Sequence, residues 1–296
     1  LGYTTNENWG LWNFNVYLNQ RHLAFGLLIT GIVIWVFFDY LEEGAAHEEK
    51  GFAWIKGRLF AKEAWQCRNL EKALLLGMIL GLTSFWNGAA VIGGLLILLG
   101  FAAFSDGKLD YGIMAAVTVF FSVLQSRIFV RGSVMSPAIQ WGFLAEDKSL
   151  AGVIWYLIQI SGFFVAGLAM LVFWLRRRER TMLVSFLFPL FFAFLVSLTP
   201  DINVNHKYIM ISWAFLTVFW GGVLSKCWRG KCRKKLLAFI LTVCLTATGL
   251  YDFVIILRNN GPGRRVAVNM ESDLTAWLSE NLTSEDLILT PEYSMS

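Results

Sequence analysis

An all-α polytopic membrane protein, with about eight transmembrane helices and the start of a soluble α/β tail domain, is what three features of this chain predict. The composition is 56% hydrophobic and only 16% charged, against about 25% charged in soluble domains, so the chain lacks the polar groups to cover a water-facing surface. Long stretches carry no charge at all. Lys and Arg collect in a few short loops between those stretches, as bilayer proteins place them. The net charge of +4 is therefore a topology signal, and nucleic acid is excluded as a partner; the lipid bilayer is the expected one.

The elements follow in order. Residues 1–22 are an expected extracytoplasmic segment, and a transmembrane helical domain covers 23–257. A span needs about 20 apolar residues, and 23–38, bracketed by Arg21-His22 and Asp39, is the first. In the charged loop that follows, 52–66 predicts an amphipathic helix lying in the inner headgroup layer; His47, among Glu48, Glu49 and Lys50, is expected to be solvated. Residues 73–105 are uncharged and too long for one crossing, so the Trp86-Asn87-Gly88 break divides them into spans near 73–86 and 88–105. Further spans are predicted near 111–126, 149–175, 181–199, 208–225 and 236–257. The tail, 258–296, opens with the turn-rich Asn259-Asn260-Gly261-Pro262-Gly263, then spaces Leu274, Trp277 and Leu278 as a helix and Leu287-Ile288-Leu289 as a short strand. One helix and one strand cannot bury a core, so this domain is expected to be truncated, with the chain a piece of a larger protein.

Orientation follows from the two densest basic loops, Arg176 to Arg180 and Lys226 to Lys235, which two spans separate. Placing both in the cytoplasm puts 1–22, the 127–148 loop, the 200–207 connector and the C-terminal tail outside, in a multi-pass protein of the cytoplasmic membrane. The four cysteines, Cys67, Cys227, Cys232 and Cys244, are too scattered for a disulfide framework and are expected to be free thiols. No metal-ligand cluster, phosphate loop or nucleophile elbow is present, so no metal site is assigned.

Candidate chemistry gathers at the outer loops. Pro200-Asp201-Ile202-Asn203-Val204-Asn205-His206-Lys207 is a polar island between two uncharged runs; ionisable groups at such an interface are candidates for function. Asp201 is a candidate general base, or a solvated loop carboxylate. His206 and Lys207 suit a lipid-linked phosphate, with the imidazole able to exchange a proton near neutral pH, or they anchor the interface. Arg127 and Arg131, four apart, share a face if the helix continues and could clamp a phosphate, or they snorkel to headgroups. Arg21 and His22 follow Trp9 and Trp12 in a stretch rich in Asn; rings flanked by amides fit a sugar, and equally an aromatic belt.

Three local patterns taken together carry a resemblance: Asn13-Phe14-Asn15-Val16-Tyr17-Leu18-Asn19-Gln20-Arg21-His22-Leu23 ahead of a span, Gly77 through Gly81 leading to Phe85-Trp86-Asn87-Gly88-Ala89, and Asp201 to Lys207 before another span. The chain resembles bacterial polytopic proteins of the GT-C glycosyltransferase superfamily, over most of its length and through loose motifs. The resemblance implies transfer of a sugar from a polyprenyl-phosphate donor to an extracytoplasmic acceptor, with Arg127, Arg131, His206 and Lys207 at the donor phosphate and Trp9, Trp12, Arg21 and His22 at the sugar or acceptor. The superfamily's acidic catalytic residue usually sits in the first outer loop, after the first membrane helix. Here that loop is either missing or reduced to residues 1–20, where Glu7 is the only carboxylate, so Glu7 joins Asp201 as a candidate. A divalent ion could share the phosphate charge, though no ligand cluster demands one. Two other classes stand beside this one. A transporter or flippase of a lipid or small anionic solute predicts Gly- or Pro-broken positions within spans, and a non-catalytic membrane assembly protein predicts that charge reversal alters complexes rather than turnover.

Overall fold

The computed structural model describes residues 21–129, 136–173, 175–259, 273–283 and 286. These are mostly helical, and they begin with α1 (Arg21–Val36), which bends at Phe37 and runs on as α2 (Phe38–Ala46). The first helical run is thus longer than the predicted 23–38, because Asp39, Glu42 and Glu43 find basic neighbours beyond the apolar segment. A short amphipathic helix, α3 (Gly51–Phe60), and a 3₁₀ turn at Lys62–Trp65 lead to α4 (Leu70–Thr83) and α5 (Gly88–Phe104). Amide side chains start both longer helices: Asn69 accepts from the Lys72 N–H and Asn87 from the Ala90 N–H, each at 2.9 Å. α6 (Lys108–Phe129) runs parallel to α4 and packs closely on it, Gly77 lying against Met114 and Gly81 against Thr118.

Two predicted spans are interrupted. Where 149–175 was expected to cross as one helix, α7 (Leu150–Ser161) and α8 (Phe163–Leu171) meet at Gly162 with a bend of 107°. Gly162 has φ +53, a conformation that residues with a Cβ avoid. Where 181–199 was expected, α9 (Arg177–Phe186) and α10 (Phe188–Leu195) are separate helices. Pro189 stands in the first turn of α10, where its missing N–H and fixed φ suit a helix start. α11 (His206–Trp228) and α12 (Cys232–Asn259) follow. α13 (Asp273–Asn281) belongs to the compact unit after Asp252 and is described by itself; the strand predicted at 287–289 lies outside the described residues.

By length and composition, four helical runs can cross a bilayer: Arg21–Ala46, Lys108–Phe129, Ile202–Trp228 and Cys232–Ile255, with the bent pair α7–α8 a fifth if counted as one. α4 and α5, at 14 and 17 residues, are shorter than the about 20 residues of a full crossing. The core joins α1 and α2 to α4 through α11, with α5 central. Large apolar side chains also face outward, among them Trp35, 75% exposed, and Phe173, 84% exposed. Water would not tolerate so many, whereas lipid does.

Candidate functional site

The helix directions collect one set of loops at one end of the bundle. Leu23, Ala90 and Met210 form a small buried cluster, so the starts of α1, α5 and α11 lie at one level. The Phe25 and Trp86 rings sit 5.2 Å apart and those of Phe85 and Phe129 5.4 Å apart, which brings the end of α6 to the same level. Arg21, His22, Arg127, His206 and Lys207 therefore share one end. Arg21, His22 and Arg127 are exposed there, while His206 and Lys207 are half-buried. Arg131, Glu7, Trp9 and Trp12 lie outside the described residues.

A short antiparallel ribbon ties two of these segments together. β1 (Ala138–Ile139) pairs with β2 (Val196–Ser197), Ala138 opposite Ser197. The pairing extends at both ends, from the Ser136 N–H to the Leu198 carbonyl at 3.1 Å and from the Gly142 N–H to the Phe194 carbonyl at 2.9 Å. Next in the chain, Phe143 is buried with φ 47, a bulky residue in a region costing of order 1–3 kcal/mol. Its ring is held 5.8 Å from Phe194 and 6.4 Å from Tyr156, and its carbonyl accepts from the Lys148 ammonium at 2.7 Å. Asp147 accepts from the Ser149 N–H and hydroxyl, both at 2.8 Å, which holds its carboxyl below the usual carboxylate range.

The connector itself is a sequence of local caps. Asp201 accepts from the Asn203 N–H at 2.9 Å and the Asn203 amide at 2.8 Å, opening the 3₁₀ turn Ile202–Asn205 that feeds α11. One of its oxygens is therefore engaged in the turn. His206 Nδ1 lies 2.6 Å from the Asn203 carbonyl; since a carbonyl only accepts, Nδ1 carries the proton and Nε2 is left as an acceptor in the neutral ring. Asn205, which the sequence reading passed over, is buried and donates to the carbonyls of Ala193 at 3.0 Å and Val196 at 2.7 Å. It terminates α10 and fixes the connector; its one advance signal is an amide directly before a helix start.

A second polar assembly occupies the opposite end, where the sequence predicted only a charged loop. Asp110, buried at the start of α6, accepts from the Tyr40 hydroxyl at 2.8 Å, the Cys67 thiol at 2.9 Å and the N–H groups of Arg68 and Asn69 at 3.1 Å. Arg68 pairs with Glu43 and lies 4.7 Å above the Tyr40 ring, with the Lys72 ammonium 4.4 Å from that ring. His47, expected to be solvated, instead has Nε2 2.9 Å from Asp106, which also pairs with the buried Arg58; the pairing arises because α3 folds back under the α5–α6 turn. Arg177 donates to the His47 carbonyl and Arg178 pairs with Glu42. The Lys108 ammonium donates to the carbonyls of Ala102 and Ser105, satisfying the end of α5. These groups close on one another and hold helix ends together, so the assembly is a structural clasp.

All four cysteines are free thiols. Cys67 is exposed, yet the Asp110 carboxylate that accepts its S–H pushes its pKa up from the ordinary value. A raised thiol pKa means less thiolate at neutral pH. In a variant retaining Cys67 as its sole cysteine, iodoacetamide at pH 7.5 should react several-fold more slowly with the folded chain than with the chain unfolded in SDS. The gap should close as pH rises, and equal rates at pH 7.5 would remove the hydrogen bond from the account.

The fold is mostly helical, with four runs among the described residues long and apolar enough to cross a membrane and an ordered polar rim at one end of the bundle. No protein-family model, curated protein or solved structure matches the chain.

Proposed function

We propose that this chain is a membrane-embedded glycosyltransferase that moves a sugar from a polyprenyl-phosphate donor to an acceptor outside the cytoplasmic membrane. One observation supports it beyond the sequence resemblance. The β1–β2 ribbon holds the 136–149 loop and the 196–207 connector together at the end of the bundle that also carries Arg21, His22 and Arg127. A rim stiffened by a strained Phe143 and the Asn205 bonds is the kind of rigid support that substrate positioning needs. In this reading there are eight crossings, with α4, α5, the α7–α8 pair and the α9–α10 pair each counted once, and the connector end faces outward. The tail, 258–296, is the start of an extracytoplasmic soluble domain.

The chemistry asks mostly for placement and charge. The acceptor hydroxyl forms a bond to the anomeric carbon as its proton passes to a carboxylate, and the bond to phosphate breaks with its electron pair leaving on the polyprenyl phosphate. Arg127, Arg131 and Lys207 meet that phosphate charge, joined by His206 when its Nε2 takes up a proton and can donate. Asp201, through the oxygen not held in its turn, or Glu7 takes the proton, and Trp9, Trp12, Arg21 and His22 contact the sugar. A charged hydrogen bond is worth about 1.5–3 kcal/mol, or roughly 10- to 100-fold in rate. Arg127→Ala and Lys207→Ala, each at a side chain outside the packed core, should therefore lower transfer from a panel of polyprenyl-phosphate sugars in proteoliposomes by that factor, with insertion unchanged. Normal transfer in both variants rules out this donor site.

A second reading, a transporter or flippase of a lipid or small anionic solute, draws support from the 107° break at Gly162, because broken helices line transport sites. The same proteoliposomes separate the two: a transporter moves labelled lipid between leaflets without forming a glycosylated product.

A further inference from the structure

The two basic loops look alike in sequence and differ in the folded chain. Arg177 and Arg178 are met by the His47 carbonyl and by Glu42. In and on either side of the turn between α11 and α12, Lys226, Arg229, Lys231, Arg233, Lys234 and Lys235 are exposed. Among the described residues none of these six takes part in an ion pair, and the sequence holds no Asp or Glu between Asp201 and Asp252. Six uncompensated cations around one short turn attract an anion that the chain does not itself supply.

The surface beside the turn narrows the choice of anion. α11 and α12 leave a notch of about 280 Å³, lined by Leu224, Ser225, Trp228, Arg229, Ala238 and Thr242. Its deeper wall is apolar: Ala238 is buried, and the Thr242 hydroxyl donates to the Ala238 carbonyl at 2.8 Å, so it is taken up along α12. Its mouth is polar, with Ser225, Arg229 and the exposed ring of Trp228. Both helices belong to runs that can cross a bilayer, so the turn sits at headgroup depth, where Trp is enriched. A soluble polyanion would use the charges and leave the apolar wall unused. A lipid uses both.

We propose that this notch binds one anionic glycerophospholipid, its phosphate against Arg229, Lys231 and the side of α12 that carries Lys234 and Lys235, and the top of an acyl chain against Leu224, Ala238 and Thr242. Basic pockets between membrane helices recognise anionic headgroups in this way. The proposal is independent of the transferase reading, since it concerns the opposite end of the bundle from Lys207.

Native mass spectrometry of the full chain in neutral detergent, with added phosphatidylglycerol or phosphatidylcholine, tests it. One phosphatidylglycerol should be retained in preference to phosphatidylcholine. Three basic side chains beside an anionic surface correspond to about 100-fold in binding, so K231Q/K234Q/K235Q should weaken retention by that factor. Leu224→Trp, which fills the notch and leaves every charge in place, should also abolish it. Equal retention of the two lipids, or full retention by either variant with its helical circular dichroism intact, overturns the proposal. Displacement of the lipid by millimolar inorganic phosphate overturns it as well, because the site would then belong to a free anion.

Discussion

Asp110→Ala should destabilise the protein by about 3 kcal/mol, the cost of leaving a buried hydroxyl without an acceptor and removing a charged acceptor from two backbone donors. The carboxylate ties α2 and the Cys67–Asn69 segment to the start of α6, through Tyr40, Cys67, Arg68 and Asn69. Cys67, Arg68 and Asn69 are exposed and can turn to water, so most of the loss falls on Tyr40, which is 6% exposed. A double-mutant cycle isolates that share. Tyr40→Phe alone should cost about 1 kcal/mol, and in the Asp110→Ala background it should cost nothing or restore stability, because it deletes the orphaned hydroxyl. Unfolding in SDS-mixed micelles reads both. Additive losses would mean that the two side chains do not share a bond, and the clasp at this end of the bundle would have to be held by the Asp106, Arg58 and His47 group instead.

That clasp shows where sequence reasoning reaches its limit. The helical membrane class was legible because hydropathy and charge segregation are properties of whole segments, averaged over some 20 residues. Asp110 was not, since a carboxylate next to an apolar run reads as a boundary marker whether or not it is buried. The same averaging hid the interruption at Gly162: a single glycine in an apolar run is compatible with a straight helix as well as with the break at φ +53 that it makes here. The α9–α10 break carried a better signal in Pro189, whose preference for the first helical turn argues for a new start within 181–199. Ala138 and Ile139 carry no strand signal, being two residues long, so the ribbon that orders the connector end could not have been read in advance. Asp201 and His206 were legible as residues worth singling out, but the bonds to Asn203 that orient both were not, because they depend on a 3₁₀ turn at Ile202–Asn205.

Gly81→Leu should cost about 3 kcal/mol and separate α4 from α6, giving the segment Gly77 to Gly81 a packing role. A Cβ at Gly81 would stand 2.7 Å from the Phe121 Cβ and 2.8 Å from the Thr118 carbonyl oxygen, and one at Gly77 would stand 2.7 Å from the Met114 carbonyl oxygen. Backbone atoms of a packed helix cannot swing aside as a flexible side chain would, so the helices themselves must part. Overpacking alone costs about 1–3 kcal/mol. The approach that small residues permit four apart also brings in polar contacts: the Thr118 hydroxyl lies 3.1 Å from the Gly77 carbonyl, the Ser84 hydroxyl 3.1 Å from the Gln125 amide oxygen, and the Gln125 amide nitrogen 3.2 Å from the Leu82 carbonyl. In bilayers such bonds average about 0.6 kcal/mol each, so losing two or three brings the total to the stated figure. Cysteines placed at Leu74 and Ala116, which line the groove between the two helices, would report the separation as reduced crosslinking by a short bifunctional reagent. If Gly81→Leu kept wild-type stability and full crosslinking, close helix approach would not explain Gly77 and Gly81. Their place in the pattern ahead of Phe85-Trp86-Asn87-Gly88-Ala89 would then need a cause other than packing.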